Sequence, residues 1–152
     1  MAGFVYRMQN ILDIKYKLED QKKQEYAQIQ RRLDDAEEYL ATLEARLLQD
    51  ISNLREATTG TLDLLNIENC KNTIIFRREQ ITRQKGLVLS LRNETEKARV
   101  RLNEAMQERK MHEKLKENQY AEFMQELEQQ ESKEIDQLVS YTFNHKEQQN
   151  GE

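Results

Sequence analysis

From Phe4 to Leu54 the apolar side chains step along the chain by fours and threes. The series is Phe4, Met8, Ile11, Lys15, Leu18, Lys22, Tyr26, Ile29, Leu33, Ala36, Leu40, Leu43, Leu47, Ile51 and Leu54, and only two of its fifteen positions are charged. The mean spacing is close to the 3.5 residues that hold a stripe on one side of a helix and oblige it to find a partner helix. Two consecutive steps of four, at Leu18 to Tyr26 and at Leu43 to Ile51, predict a small phase slip at each place without an end to the helix. The opening GFVYRMQNILDIK reads as the first turns of this stripe. Arg7, Asn10, Asp13 and Lys15 interrupt it, so neither a signal-peptide core nor a membrane anchor is expected there. No run approaches the roughly 18 apolar residues that span a bilayer.

Composition agrees with a helical repeat and with little else. The 152 residues include no proline and four glycines, with 34% charged and 37% hydrophobic residues. A compact domain of several elements recruits Gly and Pro for its turns; here Gly60 and Gly86 are the only internal candidates. High charge with low apolar content also fits disorder, and the periodic stripe decides for helix. A second, weaker stripe follows Gly60 through Ile67, Cys70, Ile74, Ile81, Val88, Leu91, Ala98, Leu102, Ala105, His112, Leu115, Phe123, Leu127, Ile135 and Leu138. Arg77, Gln84, Thr95 and Arg109 stand where a strict repeat would place hydrophobes, which predicts either a loose seam with polar stations or surfaces meant for another protein.

Between the stripes lies EATTGTLDLLN, with threonines around Gly60 and Asp63 placed to cap a following helix. The turn is therefore expected near residues 58–66 and not at Gly86, which sits amid periodic residues. The expected fold is all-α: one coiled-coil domain over residues 1–152, a long antiparallel two-helix hairpin with unequal arms. The first helix is expected from about 4 to 57 and the second from about 64 to 142, or about 80 Å and about 115 Å at the standard rise. Phe4 would then lie level with residue 120 or so, and about twenty residues of the second helix would project beyond the pair. The tail at 143–152 is expected to fray.

Charge is unevenly placed. Residues 71–116 hold 13 Lys and Arg against 6 Asp and Glu, whereas residues 117–152 hold 2 against 9. Such runs are either solvated faces or ends prepared for two different partners. Catalytic chemistry finds no carrier. HEKLK at 112–116 starts like a zinc-protease motif but has Lys116 in place of the second His, so His112 reads as a polar seam residue. No Gly-rich phosphate loop exists, and Cys70 has no second cysteine with which to pair or hold a metal. It reads as a small seam residue or a reactive thiol. No enzyme activity, cofactor or metal is expected. Nor is nucleic-acid binding: acidic residues interleave the basic stretches FRREQITRQK and KARVRLNEAMQERK, and no nucleic-acid module is present.

The order of features resembles the flagellar export protein FliJ family. FVYRMQNILDIKYKLEDQKK is similar to its opening, carried by Phe4, Tyr6, Arg7, Met8, Leu12 and Glu19; ERKMHEKLKENQYAEF is similar to its charged second-helix signature, carried by Glu108, Arg109, Lys110, Glu113, Lys114, Leu115 and Tyr120. QESKEIDQL resembles its closing acidic element through Glu134 and Asp136, with Gln137 where many members have a second carboxylate. The resemblance implies a soluble, non-catalytic stalk of the flagellar type III export apparatus. It implies a cytoplasmic location, held peripherally at the inner side of the cell membrane at the flagellar base through partners alone. Those partners are the hexameric export ATPase FliI, the export gate protein FlhA and export chaperones. The terminal end, with Phe4, Tyr6, Arg7, Glu134 and Asp136, would meet the ATPase. Matching DAEEYLATLE and NTIIFRREQI to the gate-contacting stretches points to Tyr39, Leu43, Ile74, Arg78 and Ile81, although Leu43, Ile74 and Ile81 equally fit the seam. The alternatives are the equivalent stalk of a virulence type III secretion system and a self-associating scaffold coiled coil.

Overall fold

A computed structural model of the chain describes residues 3–151. It is an all-α antiparallel two-helix coiled-coil hairpin with unequal arms: α1 spans Gln9–Ala57 (49 residues) and α2 spans Leu64–Asn150 (87 residues). With no proline to remove a donor or clash with the preceding turn, each helix runs unbroken. The chain divides into two compact units, residues 18–105 and residues 1–17 with 106–152.

In the unit of residues 18–105 the helices are joined through Gly60, whose φ of 81° lies in the left-handed region that costs glycine least. Thr58 and Thr59 donate their hydroxyls to the carbonyls of Arg55 and Glu56, closing the exposed end of α1. Asp63 Oδ1 accepts from the Leu65 and Asn66 amides at 3.1 and 3.4 Å, an N-cap that satisfies donors of the first turn of α2. The buried positions of α2 fall in two series seven residues apart: Ile74, Ile81, Val88 and Thr95, then Leu91, Ala98 and Ala105. Leu33 and Ala36 of α1 pack with Val88 and Leu91, with Leu40 against the cluster. As far as Ala105 the second stripe thus keeps a heptad repeat, with polar residues at some of its positions. Its polar stations lie inside the seam: Arg77 is paired with Asp50 at 3.0 Å, Gln84 donates to the Ala36 carbonyl at 2.9 Å, and Thr95 donates to Leu91 of its own helix.

The terminal unit pairs the start of the chain with the later part of α2. Residues 3–8 are not helical; the Tyr6 carbonyl accepts from the Gln9 amide, and that of Met8 accepts from Ile11 and Leu12. Phe4 nonetheless reaches α2, edge-on to Tyr120 with centroids 5.2 Å apart and tilted on Phe123 at 5.6 Å. Lys15 pairs with Glu108 at 2.8 Å, Lys116 donates to Gln9 at 2.7 Å, and Tyr16 bonds to Glu113.

The stripe counted from Phe4 is out of phase at its start. Leu12 is 2% exposed and Ile11 40%, because the helix begins at Gln9 and helical steps cannot be counted through the non-helical residues 4–8. In the unit of residues 18–105, Glu19 is buried and Leu18 only half-buried, so that the steps 19, 22, 26, 29, 33 contain no slip at Tyr26. The Lys23 ammonium stands 3.4 Å from the Glu19 carboxylate. In α2, Lys116 is half-buried in place of Leu115, while Ile135 and Leu138 are exposed. α2 also continues to Asn150, where the sequence reading ends it near 142; no glycine or proline interrupts residues 143–150.

The two internal glycines should respond in opposite ways. An alanine at Gly86 meets no atom within 4 Å and should raise stability by about 0.5–1 kcal/mol. Gly60→Ala should lower it by about 1 kcal/mol, since a side chain is strained at that φ. Urea unfolding followed by far-UV circular dichroism measures both.

Candidate partner-binding surfaces

The turn-side residues expected from the sequence separate by depth. Leu43, Ile74 and Ile81 are buried in the seam of the 18–105 unit, with Leu43 wholly covered. Tyr39 and Arg78 are exposed. A partner would meet these two first, while the three aliphatic residues hold the helices beneath them together. Beside Arg78 lie side chains that periodicity alone did not single out, Ile75 and Phe76, both more than half exposed. Their signal is a five-residue run, IIFRR, in which seam spacing uses only Ile74 and Arg77 and leaves two large hydrophobes facing water.

The terminal residues expected from the sequence also fall into two groups. Phe4 is engaged with Tyr120 and Phe123, and Tyr6 is 6% exposed with the Lys116 ammonium 5.9 Å from its ring centroid. Arg7, Glu134 and Asp136 are exposed. Glu134 lies eleven residues beyond Phe123 on α2, about 16 Å along the axis, so the two groups do not form one cluster. Every residue from Glu128 to Gly151 is exposed. Ile135, Leu138, Val139 and Phe143 share one side of this segment at helical spacing, with carboxylates at Glu131, Glu134 and Asp136 along it.

Titration follows ion pairing. The Lys15 ammonium bonded to Glu108 holds that carboxyl below the usual range, and Arg99 does the same for Glu96. Because the folded-state value is lowered, each contribution is complete at neutral pH and is lost only as the medium is acidified through that lowered value. His112 is half-buried with Nδ1 lacking a hydrogen-bond partner among the described residues, as does the Tyr6 hydroxyl. No group of His, Cys, Asp and Glu suited to a metal exists among the described residues. None of their helices is long and apolar enough to cross a membrane.

The sequence matches the family model of the flagellar FliJ protein over residues 4–148, which takes in both surfaces and the turn. The chain belongs to the flagellar FliJ family. This FliJ family member is also similar in fold to the solved structure of a candidate YscO homologue, CT670, from Chlamydia trachomatis, at 23% identity and a TM-score of 0.54, covering 96% of this chain and 99% of the other. No curated protein matches it.

Adjacent arginines of this FliJ family protein should separate structure from surface. Arg77→Ala leaves the part-buried Asp50 carboxylate unpaired and should cost about 1–3 kcal/mol. Arg78→Ala should stay within about 0.5 kcal/mol of the parent, as exposed substitutions usually do. Leu43→Ala should cost about 2–5 kcal/mol by opening the seam. Thermal unfolding of the three variants tests the assignment.

Proposed function

We propose that the chain is a non-enzymatic coiled-coil stalk of the flagellar type III export apparatus. It promotes assembly of the hexameric ATPase FliI and couples the ring to the gate protein FlhA and to export chaperones. The observation that carries this reading is the family match over residues 4–148, joined to a hairpin whose longer helix continues, fully exposed and acidic, past the aromatic contact of Phe4 with Phe123. A slender coiled coil suits a role inside or across a ring, where a globular body would not enter. The terminal end goes to the ATPase, with Arg7, Glu134 and Asp136 as direct contacts and Phe4 and Tyr6 holding the end together. The turn-side surface goes to the gate, with Tyr39 and Arg78 outermost over Leu43, Ile74 and Ile81. The protein acts in the cytoplasm and reaches the membrane only through these partners. The flagellar family match favours this setting over a virulence secretion system.

The test is to titrate the chain into its cognate ATPase while ATP turnover and hexamer formation are followed. Turnover should rise and hexamers form at lower ATPase concentration. Glu134→Lys with Asp136→Lys should raise the half-maximal chain concentration about tenfold, while Tyr39→Ala with Arg78→Ala should leave it unchanged and weaken only FlhA capture. An ATPase indifferent to the chain would remove the reading.

A further inference from the structure

The turn-side part of the 18–105 unit carries an open apolar groove along α2. Its floor is Ile51 and Leu54 of α1 with Ile74 and Ile75 of α2, and Lys71 and Arg78 stand on its rim. Ile74 already faces the seam, but Ile75 is 56% exposed with nothing packed over it. Burying that side chain is the gain a partner could realise there.

The rim charges are not neutralised within the unit. Arg77, Arg92 and Arg99 have carboxylate partners in Asp50, Glu37 and Glu96. The nearby Glu79 leans to Arg83 at 3.9 Å. Lys71 and Arg78 have no ion pair among the described residues; Arg78 enters only through its backbone carbonyl, which accepts from Thr82. Taken whole, residues 18–105 hold 15 Lys and Arg against 16 Asp and Glu, so the unit presents no broad field to a polyanion such as nucleic acid. The positive charge is local. It consists of two cations seven residues apart, about 10.5 Å along the helix, beside an exposed isoleucine.

We propose that this groove receives a short acidic amphipathic helix of a partner protein. Two turns of such a helix set apolar side chains at i, i+4 and i+7 onto Ile75 and the groove floor, and place carboxylates seven residues apart against Lys71 and Arg78. The proposal rests on the gate reading only in taking the turn side as a docking surface, and it names the chemistry of what docks there.

The probe is a fluorescein-labelled helical peptide with leucines at i, i+4 and i+7 flanked by glutamates, and a twin with lysines in place of the glutamates, titrated against the full chain by anisotropy. The acidic peptide should bind at least about tenfold more tightly than the basic one, and less tightly as salt is raised. Lys71→Glu with Arg78→Glu should reverse that preference, and Ile75→Ser should weaken both; all three positions are exposed, and circular dichroism verifies the fold. Equal binding of the two peptides, no binding, or an acidic peptide indifferent to the charge reversal would overturn the proposal. So would a dimer, seen by light scattering, that the charge reversal dissolves, since the groove would then belong to a second copy. The parent chain is mixed with FlhA as well. Peptide binding without FlhA binding keeps the groove chemistry and removes the gate reading. FlhA capture without peptide binding does the opposite.

Discussion

Neither helix can hide its apolar stripe except against the other, and everything else in the structure depends on that. A single amphipathic helix of this composition gains little from propensity and draws its stability from what its stripe packs against. In the 18–105 unit the stripe of α2 repeats every seven residues from Ile74 to Ala105, the repeat that keeps two supercoiled helices in contact. Leucine and isoleucine alone would permit the helices to slide by a heptad. A polar station opposes that: Arg77 meets Asp50 in one register only, and a slide would leave both part-buried and unpaired.

Charge acquires its meaning from the same pairing. The basic run of α2 is compensated in part across the seam, Arg77 by Asp50 and Arg92 by Glu37, and in part within α2, where Arg99 pairs with Glu96 and Arg109 with Glu113. Lys71 and Arg78 are among its cations that have no ion pair within the described residues. The acidic run differs, because the seam closes at Phe123 and Leu127 and the residues that follow are exposed on every side. The outcome is an apolar turn-side groove with two unpaired cations and, at the other end of α2, an exposed acidic helix.

Much of this was legible in the sequence, and the failures have identifiable causes. The turn was legible because only Gly60 combined a positive-φ residue with capping threonines and an aspartate three residues on. The seam from Ile29 onward was legible because the buried positions are aliphatic. It was misread at Ile11 and Leu18, where hydrophobicity outvoted phase: Leu12 and Glu19 are buried, and a buried carboxylate cannot be anticipated without seeing Lys23 beside it. Leu115 was chosen over Lys116 for the same reason, although a lysine lays its aliphatic stem into a seam and keeps its head outside, here on Gln9. Counting Ile135 and Leu138 as seam residues ignored that the heptad after Leu127 runs through Gln130 and Glu134. Of the surfaces, Tyr39 and Arg78 could be found as residues off the stripe; the exposure of Ile75 and Phe76 needed coordinates.

Hydrogen exchange along α2 tests the central claim most directly, since it reports where a helix is supported by a partner and where it stands alone. The account predicts slow exchange through the paired stretch as far as Phe123 and Leu127, then a step to fast exchange from Glu128 to Asn150. Protection continuing undiminished to Asn150, or absent on both sides of Phe123, would contradict a seam that ends at the aromatic contact and leaves the acidic helix free for a partner.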